Sequence, residues 1–120
     1  MERIWLDHYP PGVPADIDTT PYESLLTILD DSCRRFAGNP AYTSLGTTIT
    51  YAEFDRLSRD FAAWLQSRGL RQGDRVALML PNLLQYPICL FGALRAGCVV
   101  VNCNPLYTAH ELAHQLGDAG

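Results

Sequence analysis

The stretch Gly73 to Gly120, GDRVALMLPNLLQYPICLFGALRAGCVVVNCNPLYTAHELAHQLGDAG, decides the fold. Arg75 to Leu80 (RVALML) is a short apolar run opened by Gly73-Asp74 and closed by Pro81-Asn82, the pattern of a strand buried on both faces. Leu83, Leu84, Ile88, Phe91, Leu94 and Ala96 then keep helical spacing. Asn82 with Gln85 reads as the cap of this helix, Pro87 as a bend in its first turns, and Gly97 as a left-handed exit. Cys98 to Asn102 (CVVVN) is rich in β-branched side chains and predicts a second buried strand. A strand, a crossover helix and a strand imply parallel pairing, and ligands of open α/β sheets bind beyond the carboxyl ends of the strands. Those ends carry Pro81-Asn82 and Asn102-Cys103-Asn104-Pro105.

Upstream, Thr20-Pro21-Tyr22-Glu23 combines a threonine cap, a proline at the first helical position and a glutamate at the third, which predicts a helix start. Tyr22, Leu25, Leu26, Leu29, Cys33 and Phe36 form its expected buried stripe, with Arg34-Arg35 near the negative end of the helix dipole and Gly38 beyond. Ala41 to Leu45 and Thr47 to Thr50 flank Gly46 as a hairpin. Thr50 with Glu53 and Thr108 with Glu111 repeat the capping pattern; the first opens a helix striped by Phe54, Leu57, Phe61, Trp64 and Leu65, the second the final helix. Residues 1–19 contain Pro10, Pro11, Pro14 and Gly12, so they predict an extended arm; Ile4, Trp5, Leu6 and Tyr9 are apolar enough for it to dock on the body or on a second copy.

The chain is α/β in class, with a β-α-β-α parallel unit preceded by helices and a β-hairpin. A parallel pair of strands with free edges is an incomplete design, so residues 20–120 are expected to be the amino-terminal portion of a larger domain. The net charge of −4 and nine scattered arginines disfavour a nucleic-acid surface. There is no lysine, so neither a Schiff base nor a lysine-bearing phosphate loop can come from these residues. The apolar runs fall short of a membrane span and the amino terminus has acids where a signal peptide has cations, which points to the cytoplasm. Cys33, Cys89, Cys98 and Cys103 read as reduced thiols; Cys98 and Cys103, five apart on a strand, should face opposite ways.

Two motifs suggest chemistry. His110-Glu111-Leu112-Ala113-His114 matches the pattern of zinc hydrolases, in which two histidines one turn apart bind the metal and the glutamate activates water. Gly117 extends the match, but Gly120 stands where the third histidine belongs, His8 is remote, and Glu111 already has a capping role. Tyr42 to Thr48 (YTSLGTT) resembles a phosphate loop with a single glycine, inside a hairpin rather than at a helix start. The structural reading is preferred for both. Asn102, Asn104 and Tyr107 sit at the ligand end of the sheet, where a turn and a staple ahead of Thr108 also account for them.

Taken together, Ile4-Trp5-Leu6, the arm Tyr9 to Pro14, Gly73 to Asn82, Leu94-Arg95-Ala96-Gly97 and Asn102 to Thr108 resemble the start of bacterial long-chain fatty-acid–CoA ligases, in the acyl-adenylate-forming, AMP-binding superfamily. The resemblance runs in order along the whole chain. It implies a parent enzyme that uses ATP, Mg2+ and coenzyme A to convert a fatty acid through acyl-adenylate into acyl-CoA. It implies that the phosphate loop lies downstream, that the position of His110 commonly holds arginine, and that these residues hold no catalytic, cofactor-binding or metal residue. A homo-oligomer and peripheral contact with the inner membrane are further expectations. The alternatives are a zinc hydrolase using His110, Glu111 and His114, and a non-catalytic dimerisation or binding module.

Overall fold

The computed structural model describes residues 2–120, so the first residue of the expected arm lies outside the described residues. Ile4–His8 forms a single 3-10 turn, after which the arm runs without regular structure until α1 (Leu25–Arg35). The hairpin β1 (Pro40–Ser44) and β2 (Thr47–Thr50) leads directly into α2 (Tyr51–Ser67). The β-α-β-α unit follows as β3 (Arg75–Leu78), α3 (Gln85–Arg95), β4 (Val99–Asn102) and α4 (Ala109–Ala119).

β3 and β4 pair in parallel, Arg75 opposite Val99 and Leu78 opposite Asn102. The ladder is extended at both ends, by Gly73 N–H to Gly97 O (2.9 Å) and Cys103 N–H to Leu78 O (2.9 Å). Gly97 takes the left-handed conformation (φ 80°) expected at the exit of α3. β3 stops two residues short of the predicted Leu80, because its partner turns away at Cys103-Asn104-Pro105 and offers Met79 no further ladder. Neither strand is enclosed on both faces. Val76 and Val100 pack toward α2 and α3, whereas Val99 keeps 49% of its surface exposed and Ala77 is also open.

α2 and α3 make the central contact. Gly92 lets them approach so closely that an added Cβ would lie 2.7 Å from Phe61 Cδ1 and 2.8 Å from the Ser58 carbonyl. On one side of this contact Ala62, Leu65, Ala93, Ala96 and Cys98 form a core against the sheet. On the other, Leu29, Cys33, Ile49 and Phe54 join α1 and the hairpin to α2, with Phe91 of α3 packed against them. The Phe54 ring meets Tyr42 and Phe91 edge-on, at centroid distances of 5.1 and 5.7 Å.

The capping predictions divide. Thr50 accepts from Glu53 N–H (3.2 Å) while Glu53 Oε2 accepts from Thr50 N–H (2.8 Å), and Thr108 and Glu111 form the same reciprocal pair. These hydrogen bonds, the backbone one first, lower the pKa of both glutamates. Thr20 does not cap α1. Its N–H and hydroxyl both donate to Asp18 Oδ1 (2.9 and 2.7 Å), and the helix starts one turn later behind Ser24, which accepts from Thr27 N–H at 3.2 Å. Tyr22 and Leu25, placed in the buried stripe by the earlier start, are therefore exposed, and Phe36 lies beyond the end of the helix. Asn82 makes no cap for α3 either: the helix opens behind Leu84 without a side-chain bond. Pro87 consequently falls at the third helical position, where a missing N–H breaks no intrahelical bond. Trp64 departs from its expected place in the α2 core, being 49% exposed and stacked on Phe61.

The hairpin turn is a two-residue one with Leu45 and Gly46 both at positive φ (49° and 78°), the combination that matches strand twist. Leucine tolerates this poorly, and its side chain is left 90% exposed.

Replacing Ser24 or Thr50 by alanine should each lower stability by about 1 kcal/mol, and Thr20→Ala by much less, read from urea midpoints. Equal costs at Thr20 and Ser24 would contradict the observed start of α1. Gly92→Ala should destabilise by roughly 1–3 kcal/mol, because the new methyl meets backbone and a packed ring. A neutral result in the same assay would mean that α2 and α3 can separate freely.

Candidate functional site at the carboxyl end of the parallel strands

The hairpin faces the segment that leads from β3 into α3. Between them lies a mainly apolar hollow of about 270 Å³, bordered by Tyr42, Thr43, Ser44, Asn82, Tyr86 and Phe91 among others. Two of its hydroxyls, those of Thr43 and Tyr86, are bonded to residues outside the hollow. Thr43 and Thr48 hydroxyls pair across the hairpin at 2.8 Å, and burial pushes the Tyr42 phenol up. The stretch Tyr42 to Thr48 is thus a closed hairpin whose strands pair Thr43 with Thr48 and Ser44 with Thr47, rather than a row of amides open to phosphate.

Asn102 and Asn104 are likewise engaged. Asn102 Oδ1 accepts from Tyr86 Oη–H (2.9 Å), tying the first turn of α3 to the end of β4. The Asn102 carbonyl accepts from Gln115 Nε2 (2.8 Å), which holds α4 to the same point. That bond fixes the orientation of the amide and leaves Gln115 Oε1 buried without a partner among the described residues. Asn104 closes a local turn, its Oδ1 accepting from Leu106 N–H (3.0 Å) and its carbonyl from Tyr107 N–H (3.0 Å).

His110 and His114 lie exposed on α4. Glu111 Oε2 accepts from Thr108 N–H (2.8 Å) and Thr108 Oγ1–H (2.7 Å), so the carboxylate a zinc hydrolase would use on water is committed to the helix cap. No group of three or more His, Cys, Asp or Glu side chains placed to hold a metal occurs among the described residues, and His8 sits in the remote 3-10 turn. The four cysteines are free. Cys98 and Cys103 flank β4 rather than alternating along it, and donate to the carbonyls of Arg71 (3.9 Å) and Val101 (3.8 Å). Burial pushes the thiols of Cys33, Cys89 and Cys98 up, away from the thiolate that reaction would require.

The densest polar cluster was invisible to motif reading. Arg95, 8% exposed, extends from α3 across α2 to α1. Its Nη2 lies 2.6 Å from Asp55 Oδ1 and 2.8 Å from Asp30 Oδ1, and its Nε donates to Ser58 Oγ at 3.0 Å. Arg59 Nε adds a bond to Asp55 Oδ2 at 2.9 Å. The one sequence signal for it was an arginine within a helix that is otherwise apolar. Tyr86 and Gln115 gave no signal, since each partner lies more than a helix turn away in sequence.

No nucleophile and base are brought together at this end of the sheet; its groups bind the elements to each other. Among the described residues, no helix is long and apolar enough to cross a membrane. The sequence model of a family described as AMP-binding enzyme matches residues 29–120. Over its full length the chain is 54% identical to a long-chain-fatty-acid–CoA ligase of Yersinia pestis and 52% identical to one of Salmonella typhimurium, and it spans 22% of the length of each. The solved N-terminal subdomain of NpsA from Klebsiella oxytoca superposes with a TM-score of 0.79 at 26% identity, over 82% of this chain and 26% of that one. The α/β fold with its parallel pair, and the resemblance read from Gly73–Asn82 and Asn102–Thr108, meet in one conclusion: the chain belongs to the family of AMP-binding enzymes.

Proposed function

We propose that these residues serve in a long-chain fatty-acid–CoA ligase, which converts a fatty acid and ATP to acyl-adenylate and pyrophosphate and then, with coenzyme A, to acyl-CoA and AMP. The observation that carries this reading is the 54% identity along the whole chain to a relative bearing that name. Activation as a mixed anhydride with phosphate turns a poor acyl donor into a good one, and cations stabilise the charge released.

The residues described here do not fit ATP or Mg2+. The Tyr42–Thr48 stretch is a β-ladder with the Thr43 and Thr48 hydroxyls bonded to each other, no lysine is present, and the acids of the Arg95 cluster are neutralised by arginines. We therefore assign no step of this reaction to these residues, and no residue that binds its ATP, Mg2+ or coenzyme A. Its contribution is a scaffold: α2 and α3 cover one face of a parallel pair whose other face, including Val99 and Ala77, is open to further structure. On the same reading the protein works in the cytoplasm, meets the inner membrane only peripherally, and self-associates; the exposed Ile4, Trp5 and Tyr9 of the arm support the last.

The test is a chimera. Residues 1–120, exchanged for their counterpart in the Yersinia pestis relative, should leave a folded enzyme that forms acyl-CoA from a long-chain fatty acid, while the same residues alone show no fatty-acid-dependent pyrophosphate exchange. A folded chimera that makes no acyl-adenylate, or exchange by the isolated chain, overturns the assignment.

A further inference from the structure

His110 and His114 are left without a role by everything above. They stand at i and i+4 of α4, which places their Cβ atoms about 5–6 Å apart on one face of the helix. Both are exposed, and both border one hollow of about 350 Å³ with Tyr107, Glu111 and Gln115. Neither imidazole makes a hydrogen bond or ion pair among the described residues, so a ring nitrogen of each is free to act as a ligand. Glu111 is not, because its carboxylate is held by Thr108.

Two neutral imidazoles one turn apart form a chelate, and the remaining positions fall to water. Such a site lacks the third protein ligand of a catalytic zinc centre and has no free base, so hydrolysis is not its chemistry. Imidazole donors suit the later first-row divalent ions, and the usual order of affinity puts Cu2+ above Ni2+ and Zn2+. We propose that His110 and His114 form a surface chelating site for Cu2+ or Ni2+, with water completing the coordination. α4 has no buried residue and is tied to β4 by the Gln115 bond to the Asn102 carbonyl, so a metal spanning its first turns also fastens the helix.

The measurement is a calorimetric titration of the full chain with NiCl2, repeated with CuSO4. One ion per chain is expected, with affinity lost in H110N and in H114N, no additional loss in the double variant, and none in H8N. Amide exchange in α4 should slow on adding the metal to the parent chain and not to H110N. The asparagine variants keep polar, exposed side chains, and unchanged circular dichroism verifies their fold. Undiminished binding by both single variants, or loss of binding in H8N, would overturn the proposal. So would undiminished affinity in denaturing urea, where the helical spacing no longer exists.

Discussion

The close contact of α2 with α3 is the constraint on which the other contacts depend. Two features act there together. Gly92 removes the side chain that would hold the helices apart, and Arg95, one turn later, extends across the gap to Ser58, Asp55 and Asp30. Burying a guanidinium is costly unless its N–H groups are satisfied and its charge is balanced, and here two carboxylates and a hydroxyl provide both. The carboxylates remain partly hydrated, Asp55 being 28% exposed, so the cluster avoids the full desolvation cost of an enclosed ion pair. The Ser58 hydroxyl also donates to the Asp55 carbonyl at 2.9 Å, so its oxygen is oriented to receive Arg95.

From that contact the architecture spreads in both directions. The α3 face bearing Ala93 and Ala96 closes the core over the parallel strands, while Phe91 and Ile88 reach the second core beneath α1 and the hairpin. The crossover helix of the β-α-β unit is thereby tied to elements that precede it by dozens of residues. At its opposite end Tyr86 reaches Asn102, so both ends of α3 are anchored by polar groups and its middle by apolar ones. This explains why the ligand end of the sheet holds so little chemistry: its conspicuous side chains are used to fix the geometry of the strands.

What the sequence disclosed was what is local. The capping boxes at Thr50 and Thr108 lie within four residues, and so do the hairpin turn and the Gly97 exit. Thr20 carried the same pattern and failed because Asp18, two residues earlier, competes for its hydrogen bonds. Burial was less legible. A run such as Val99-Val100-Val101 signals apolar character on both faces, but which face is covered depends on what packs there, and only Val100 meets the core. The Arg95 bonds span 37 and 40 positions, so an arginine in a mainly apolar helix marks one end of them and nothing local marks the other. The zinc-like string shows the converse: a pattern can be complete in sequence while its glutamate is spent on a cap.

A scaffold role makes the Arg95 cluster the central claim, since the chain then matters through the geometry it fixes. The direct test is a double-mutant cycle on Arg95→Met and Asp55→Ala, read by urea unfolding. Groups in one ion-pair and hydrogen-bond network typically show coupling of about 0.5–3 kcal/mol, and the low exposure of Arg95 places this pair at roughly 1–2 kcal/mol. Additive effects, agreeing within about 0.5 kcal/mol, would show that the two side chains do not act together and that α2 and α3 are held by packing alone.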